Sequence, residues 1–234
     1  MTDLIRLEHV EKEYRDDGVP VHALNGVTLS IERGEFTVLA GPSGSGKTTL
    51  INLIGGLDRP TSGEVQVAGK DTLKLSGSEL SRLRLYKIGF VFQAYNLIPV
   101  LTAFENAEYV LMLQGMPSNE RKHKVMNLLK DVGLEGLEKR FPRELSGGQQ
   151  QRVAIARSIA SEPELILADE PTANLDTRTS ASLLDLMMKL NTEKGITFLF
   201  STHDPEVIQR ARRIIRLRDG RIVSDGKEPG GADP

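Results

Sequence analysis

Residues 41–49, GPSGSGKTT, have the types and spacing to hold a chain of phosphates. Gly41, four spacers, Gly46, Lys47 and Thr48 follow the pattern G-x-x-x-x-G-K-[ST]. Gly44 and Gly46 let the backbone turn tightly and present no Cβ to an approaching anion. The N–H groups of Ser43, Gly44, Ser45, Gly46, Lys47, Thr48 and Thr49 can then converge on a β-phosphate. The helix that begins near Gly46 adds its positive end. Lys47 brings a point charge to the β- and γ-phosphates, and the Thr48 hydroxyl is a ligand for Mg²⁺.

That chemistry needs a strand before the loop and a helix after it. Residues 35–40 (EFTVLA) form a short β-type run, and residues 48–54 (TTLINLI) read as a helix. In an open parallel sheet, ligands bind at the C-terminal strand ends. Three further apolar runs end in polar residues suited to phosphate chemistry: 88–92 at Gln93, 165–168 at Asp169 and Glu170, and 197–201 near His203. Asp169 is placed to bind Mg²⁺, with Gln93 a further metal candidate. Glu170 has the chemistry of a general base for an attacking water. Gln93 and His203 are candidates to hydrogen-bond the γ-phosphate and that water. Acidic residues after a strand are often only turn formers; their company with a phosphate loop favours the functional reading.

A second helix start has similar composition. In residues 145–160 (LSGGQQQRVAIARSIA), Ser146 sits at a cap position, followed by Gly147, Gly148 and Gln149. Two adjacent glycines start a helix poorly, so the pair points to a close approach. One nucleotide already has a phosphate loop. A second anion-binding helix end therefore points to a composite site facing the nucleotide of another copy, with two-fold symmetry making two such sites.

The 234 residues suit one large α/β domain or two small ones. Hydrophobic residues make up 39 % and charged residues 26 %, a globular balance. A net charge of −2 argues against a nucleic-acid binder. The absence of cysteine excludes disulfides and thiolate zinc sites. The N-terminus has no signal-peptide core, and no apolar run nears the ~20 residues of a membrane span.

Residues 4–10 and 27–31 alternate as strands, with a turn at 15–18 (RDDG) between them. Tyr14 either stacks on an adenine or is a tyrosine on an edge strand. Residues 63–69 read as a strand and 76–85 as a helix with Ser78 at its cap. From 94 to about 160 helical periodicity replaces strands: helices at 104–113, at 118–132 capped by Ser118 and ended by Gly133, and at 147–161. The basic run 121–124 reads as a solvated helix face. Residues 177–193 and 205–211 are helices, and 214–217 and 221–223 form a hairpin. The arginine cluster 210–221 reads as solvated surface, with anionic lipid the alternative. The expected architecture is α/β: a phosphate-loop (P-loop) NTPase core, mainly parallel with an antiparallel N-terminal β part, and a helical insertion. One domain spans 1–228 (core 1–93 and 162–228, helical subdomain 94–161), and 229–234 form a disordered tail.

Taken together, GPSGSGKTT, Gln93, LSGGQ, LILADEP, ANLD (residues 173–176) and His203 resemble the nucleotide-binding subunit of ATP-binding cassette (ABC) transporters. The resemblance runs to about residue 226. Residues 20–31, 55–65, 88–93 and 96–106 are most similar to the lipoprotein-releasing and macrolide-export ATPases (LolD/MacB type). Thr48 stands for the commoner serine and keeps the hydroxyl. The resemblance implies ATP and Mg²⁺ as cofactors, Tyr14 on the adenine, Asp176 linking two sites across a dimer, and a homodimer closing on ATP. It also implies a separate membrane-spanning permease, docked near residues 95–101 (YNLIPVL, from Tyr95 to Leu101), at the cytoplasmic face of the inner membrane. A cell-division ATPase that signals without transport is the alternative within the family. A DNA-repair or chromosome-organising ATPase is the remote one, disfavoured because the interval before LSGGQ lacks heptads and cysteine.

Overall fold

The computed structural model describes residues 3–16 and 19–226. The expected tail at 229–234, and Asp17 and Gly18 of the expected turn, lie outside the described residues. In chain order the strands and helices are β1 (Asp3–Asp16), β2 (Val19–Glu32), β3 (Phe36–Ala40), α1 (Lys47–Ile54), β4 (Ser62–Val67), β5 (Lys70–Asp71), α2 (Gly77–Lys87), β6 (Ile88–Phe92), α3 (Ala103–Leu113), α4 (Ser118–Asp131), α5 (Gly147–Ile159), β7 (Leu165–Asp169), α6 (Thr177–Lys194), β8 (Thr197–Thr202), α7 (Pro205–Arg210), β9 (Arg213–Arg218) and β10 (Arg221–Gly226). They fall into two compact units, residues 1–80 with 197–234, and residues 81–196. No helix among the described residues is long and apolar enough to cross a membrane.

In the first unit β1 and β2 form a hairpin with 14 residues in each strand, far longer than the alternation at 4–10 and 27–31 indicates. The physical reason is pairing. Residues 11–15 and 19–22 are polar or exposed, so hydrophobic alternation fades, but their backbone groups still satisfy one another across the hairpin. The antiparallel sheet runs β2-β1-β4-β5. The other strands of this unit lie in the order β10-β9-β3-β8, where β3 pairs in parallel with both β8 and β9, and β10 pairs antiparallel with β9. β3 and β8 are buried at every position, which explains their unbroken apolar runs. Phe36, Phe198 and Phe200 fill this core, with ring centroids 4.6 to 5.7 Å apart.

The arginine cluster expected at the surface is not uniform. Arg213 is drawn inward, donating to Asp225 at 2.7 Å and to Glu35 at 3.1 Å. Its guanidinium is held well above its ordinary value, first by the bonds to Asp225 and then by Glu35.

In the second unit β6 and β7 are parallel neighbours, and four helices follow the sequence periods. Caps differ from expectation at two places. α2 is capped by Ser76, not Ser78: the Ser76 amide donates to Glu79 at 2.8 Å and its hydroxyl accepts from the Glu79 amide at 3.4 Å. α4 begins after Pro117, so Ser118 is already its first helical residue and makes no cap bond. Gly133 ends that helix at φ 76°. The basic run on α4 is only half solvated. Arg121 bonds Glu108 at 3.0 Å, and Lys124 bonds Glu162 at 2.8 Å, while Lys122 and His123 face outward.

Candidate functional site

The register of the first unit decides what leaves β3. Ala40 sits beside Thr202 of β8 and Arg216 of β9, so Gly41 and His203 emerge at the same strand ends. Gly41, Gly44 and Gly46 all take positive φ. Two of them are also fixed by crowding. A Cβ on Gly41 would lie 2.2 Å from the Leu217 carbonyl oxygen, and one on Gly46 2.5 Å from that of Ala23. Gly44 instead faces open space, as an approach route for an anion requires.

α1 starts from Gly46 at φ 101° with no side-chain cap bond. Lys47 is buried and folds across its own loop, its ammonium donating to the Gly41 and Pro42 carbonyls at 2.8 and 2.9 Å. The Ser45 hydroxyl is buried without a partner. Ser43 and Thr48 are exposed, Thr49 is half-buried and His203 is exposed. An uncapped helix start, an orphaned hydroxyl, an open glycine and an ammonium among carbonyls fit a phosphate chain.

β1 lies between β2 and β4, but its pairing with β4 ends at Glu11, so at Tyr14 it is paired only with β2. Tyr14 is 40 % exposed, enough to offer a ring face to a base. The Lys12 ammonium stands 4.6 Å from the ring centroid. The Tyr14 hydroxyl donates to Asp58 at 2.7 Å, and Lys12 donates to the same carboxylate at 2.8 Å. Burial first, then the bond to Asp58, pushes the Tyr14 phenol upward. Burial alone would raise the Asp58 carboxyl, but the bonds from Lys12, Tyr14 and the Arg59 amide outweigh it and hold it below its ordinary value. Sequence reading missed Lys12 and Asp58; nothing local marks a carboxylate 44 residues from its tyrosine.

In the second unit the β6–β7 register sets Phe92 beside Asp169, so Gln93 and Glu170 leave this pair at the same end. Glu170 has φ 46°, a left-handed conformation uncommon for a residue with a side chain. Such strain is typical of functional positions, where the surrounding structure over-determines the backbone. The Asn174 amide donates to the Gln93 carbonyl at 3.0 Å, tying the residues after Glu170 to those after β6. Tyr95 and Asn96 are also left-handed, at φ 59° and 48°. Arg157 of α5 donates to both carbonyls, at 3.0 and 2.6 Å, and its burial lowers the guanidinium's value.

The head of α5 is capped from within. The Ser146 hydroxyl accepts from the Gln149 amide at 3.3 Å, and the Ser146 amide donates to the Gln149 side chain at 2.9 Å. The two glycines are sites of close approach inside the chain: a Cβ on Gly147 would meet the Tyr95 hydroxyl at 2.8 Å, and one on Gly148 the Thr179 methyl at 2.4 Å. Asp176 caps α6, accepting from the Thr179 amide at 3.0 Å and its hydroxyl at 2.6 Å, and these bonds hold its carboxyl below the usual value. Ser146, Gly148 and Gln149 line one wall of a concavity of about 380 Å³ whose other wall carries Arg178 and Thr179, with Arg152 beside them. An exposed helix N-terminus flanked by two guanidinium groups is electropositive. The expected site residues thus form two sets: Tyr14, residues 41–49 and His203 in the first unit, and Gln93, Ser146 to Gln149, Asp169, Glu170 and Asp176 in the second.

Comparison with known proteins agrees with this chemistry. The family model for the ABC transporter matches residues 24–173. The lipoprotein-releasing system ATP-binding protein LolD of Anaeromyxobacter dehalogenans is 49 % identical over 226 residues, 96 % of this chain and 95 % of that protein. The macrolide export ATP-binding/permease protein MacB of Syntrophobacter fumaroxidans is 46 % identical over 94 % of this chain, which spans only 31 % of that protein. Solved dimeric structures of the cassette MJ0796, a protein of Methanocaldococcus jannaschii, superpose with TM-scores of 0.90 and 0.89 at 44 % identity, over 97 % of this chain and all of theirs. The second of these is a post-hydrolysis state bound to ADP and Pi. With its α/β phosphate-loop fold, its signature helix and these relatives, the chain belongs to the ABC transporter ATP-binding family, whose members bind and hydrolyse ATP.

Proposed function

We propose that this chain powers a membrane transport complex that releases lipoproteins or exports a hydrophobic substrate. The observation that carries the ATPase part is the loop at 41–49, with its uncapped helix start, its buried Lys47 and its orphaned Ser45 hydroxyl. The names of the LolD and MacB relatives support the substrate class.

In this reading residues 43–49 hold the β- and γ-phosphates, and Tyr14 takes the adenine. Thr48, Asp169 and Gln93 hold Mg²⁺, which supplies charge neutralisation at the phosphates. Glu170 accepts the proton of the attacking water, and Gln93 and His203 orient that water and the γ-phosphate. Ser146, Gly147, Gly148 and Gln149 meet the nucleotide of a second copy, and Asp176 lies at the same junction. The electropositive end of α5 and the dimeric relatives support this homodimer. One ATPase domain then comprises a core of 1–93 and 162–228 and a helical subdomain of 94–161.

The permease is a separate integral-membrane chain docked near residues 95–101, and it holds this chain at the cytoplasmic face of the inner membrane. A groove of about 330 Å³ lined by Phe90, Phe92, Asn96 and Val110 supports this position. Val100 is 76 % exposed, an apolar contact available to a partner. Buried Asn106 fixes the loop beside the groove. It accepts from the Ile98 amide at 2.8 Å and donates to the carbonyls of Ile98, Leu101 and Thr102 at 3.0–3.1 Å.

The test is Lys47→Ala in the purified chain and in the assembled complex. We expect ATP turnover to fall by at least about 10²-fold, since a preorganised charge on the phosphates is removed. Near-wild-type turnover would sink the assignment of the loop.

A further inference from the structure

Gln151 stands one turn into α5 with no exposed surface. Its amide donates to the Pro171 carbonyl at 2.7 Å and, at the outer limit of a hydrogen bond, to the Phe92 carbonyl at 3.5 Å. Phe92 immediately precedes Gln93, and Pro171 immediately follows Glu170. One side chain therefore spans the two chain segments that bear the candidate water-positioning residue and the candidate base. The other end of the amide, Oε1, is buried with no donor. A leucine would occupy similar volume without burying an unsatisfied acceptor, so packing alone does not account for a glutamine here.

The neighbours of Gln151 on its helix face act on the same segments. Gly147, four residues earlier, lies against the Tyr95 hydroxyl. Ser158, seven residues later, lies against Gly89, where a Cβ would come within 2.5 Å of its carbonyl. Arg157 holds the carbonyls of Tyr95 and Asn96. These contacts grip β6 and the residues after it. Gln151 also hydrogen-bonds the segment that follows β7, at the Pro171 carbonyl.

We propose that Gln151 is a positioning residue for ATP hydrolysis. Its amide fixes the spacing between Gln93 and Glu170 and references both to the helix that carries Ser146, Gly147 and Gly148. The inference rests on the ATPase reading above. Gln151 needs no contact with nucleotide, so it acts on turnover and not on binding. A base and a water-orienting amide displaced by a fraction of an ångström lose rate while the phosphate loop still holds ATP.

The experiment compares the full wild-type chain with Gln151→Leu, which keeps volume and removes the donor. The readouts are kcat, KM for ATP, binding of a fluorescent ATP analogue and the thermal midpoint. We expect kcat to fall roughly 10- to 100-fold. KM and analogue binding should stay within about twofold of wild type. Wild-type kcat in a folded Gln151→Leu chain would overturn the proposal, and so would a parallel loss of ATP binding. If Gln151→Leu does not fold, the more flexible Gln151→Met is measured in the same way. Failure of both to fold makes the role structural and also overturns the proposal. A wild-type chain with no ATPase activity would instead count against the functional reading.

Discussion

α1 and α5 both have glycine at their starts, Gly46 and Gly147, yet they begin in different ways. α1 starts at a left-handed Gly46 with no capping side chain, and the only cation of its loop is turned onto loop carbonyls. α5 starts with a complete reciprocal cap between Ser146 and Gln149. Free N–H groups at a helix start cost stability unless an oxygen meets them. α1 is therefore built to be completed by a bound phosphate. α5 is complete by itself and is suited to a ligand that comes and goes. The glycines differ accordingly. Gly46 is pressed against backbone, and Gly147 against the tip of a tyrosine.

The largest effect that would sharpen this contrast is Glu170→Gln. The substitution keeps the side-chain shape and removes the proposed base, so turnover should fall about 10²–10⁴-fold while ATP still binds at the α1 end. The α5 end should then show itself as a dimer formed with ATP and not with ADP, measured by size-exclusion chromatography with light scattering. Adding Ser146→Arg should return the protein to monomer. A Glu170→Gln chain that binds ATP yet stays monomeric, alone and in the assembled complex, would break the comparison.

A smaller effect separates the two glycine starts in stability. Gly46→Ala must push a Cβ into the Ala23 carbonyl and hold a strained φ, and should cost more than about 2 kcal/mol. Gly147→Ala meets only a hydroxyl on a movable ring and should cost about 1 kcal/mol or less. Urea denaturation would measure both. Equal losses would show that the two starts are packed alike.

The smallest expected effect concerns the adenine side of the α1 end. The Asp58 carboxyl is held below its ordinary value, so its bonds add stability above that value, near pH 4, and lose it as pH falls through the lower folded value. Tyr14→Phe removes one of those bonds and keeps the ring. We expect wild type to lose slightly more stability than Tyr14→Phe between about pH 5 and pH 2, with KM for ATP at pH 7 unchanged within about twofold. Parallel acid-unfolding curves would remove Asp58 from the account. A large rise in KM would show that the hydroxyl, and not the ring alone, matters to the nucleotide.

The chemistry was legible where it is local. A phosphate loop works through consecutive backbone groups, so Gly41 to Thr49 carry their geometry in their own order, and Ser146 to Gln149 spell their cap in four residues. Buried parallel strands announce themselves as short apolar runs, which is why 36–40, 88–92, 165–169 and 197–202 were visible with polar residues at their ends. Side chains whose partners are distant were not legible. Ser76 and Ser78 look alike until the first turn of α2 is built. Nothing near Arg213 in the chain announces Glu35, and nothing near Tyr14 announces Asp58. The tertiary structure alone decided that Gln151 turns inward between two carbonyls. It likewise decided that Gly147 and Gly148 make room for Tyr95 and Thr179, and that the β6–β7 register brings Gln93 and Glu170 to one end. A sequence orders neighbours along the chain, but burial and strand register pair residues that only folding brings together.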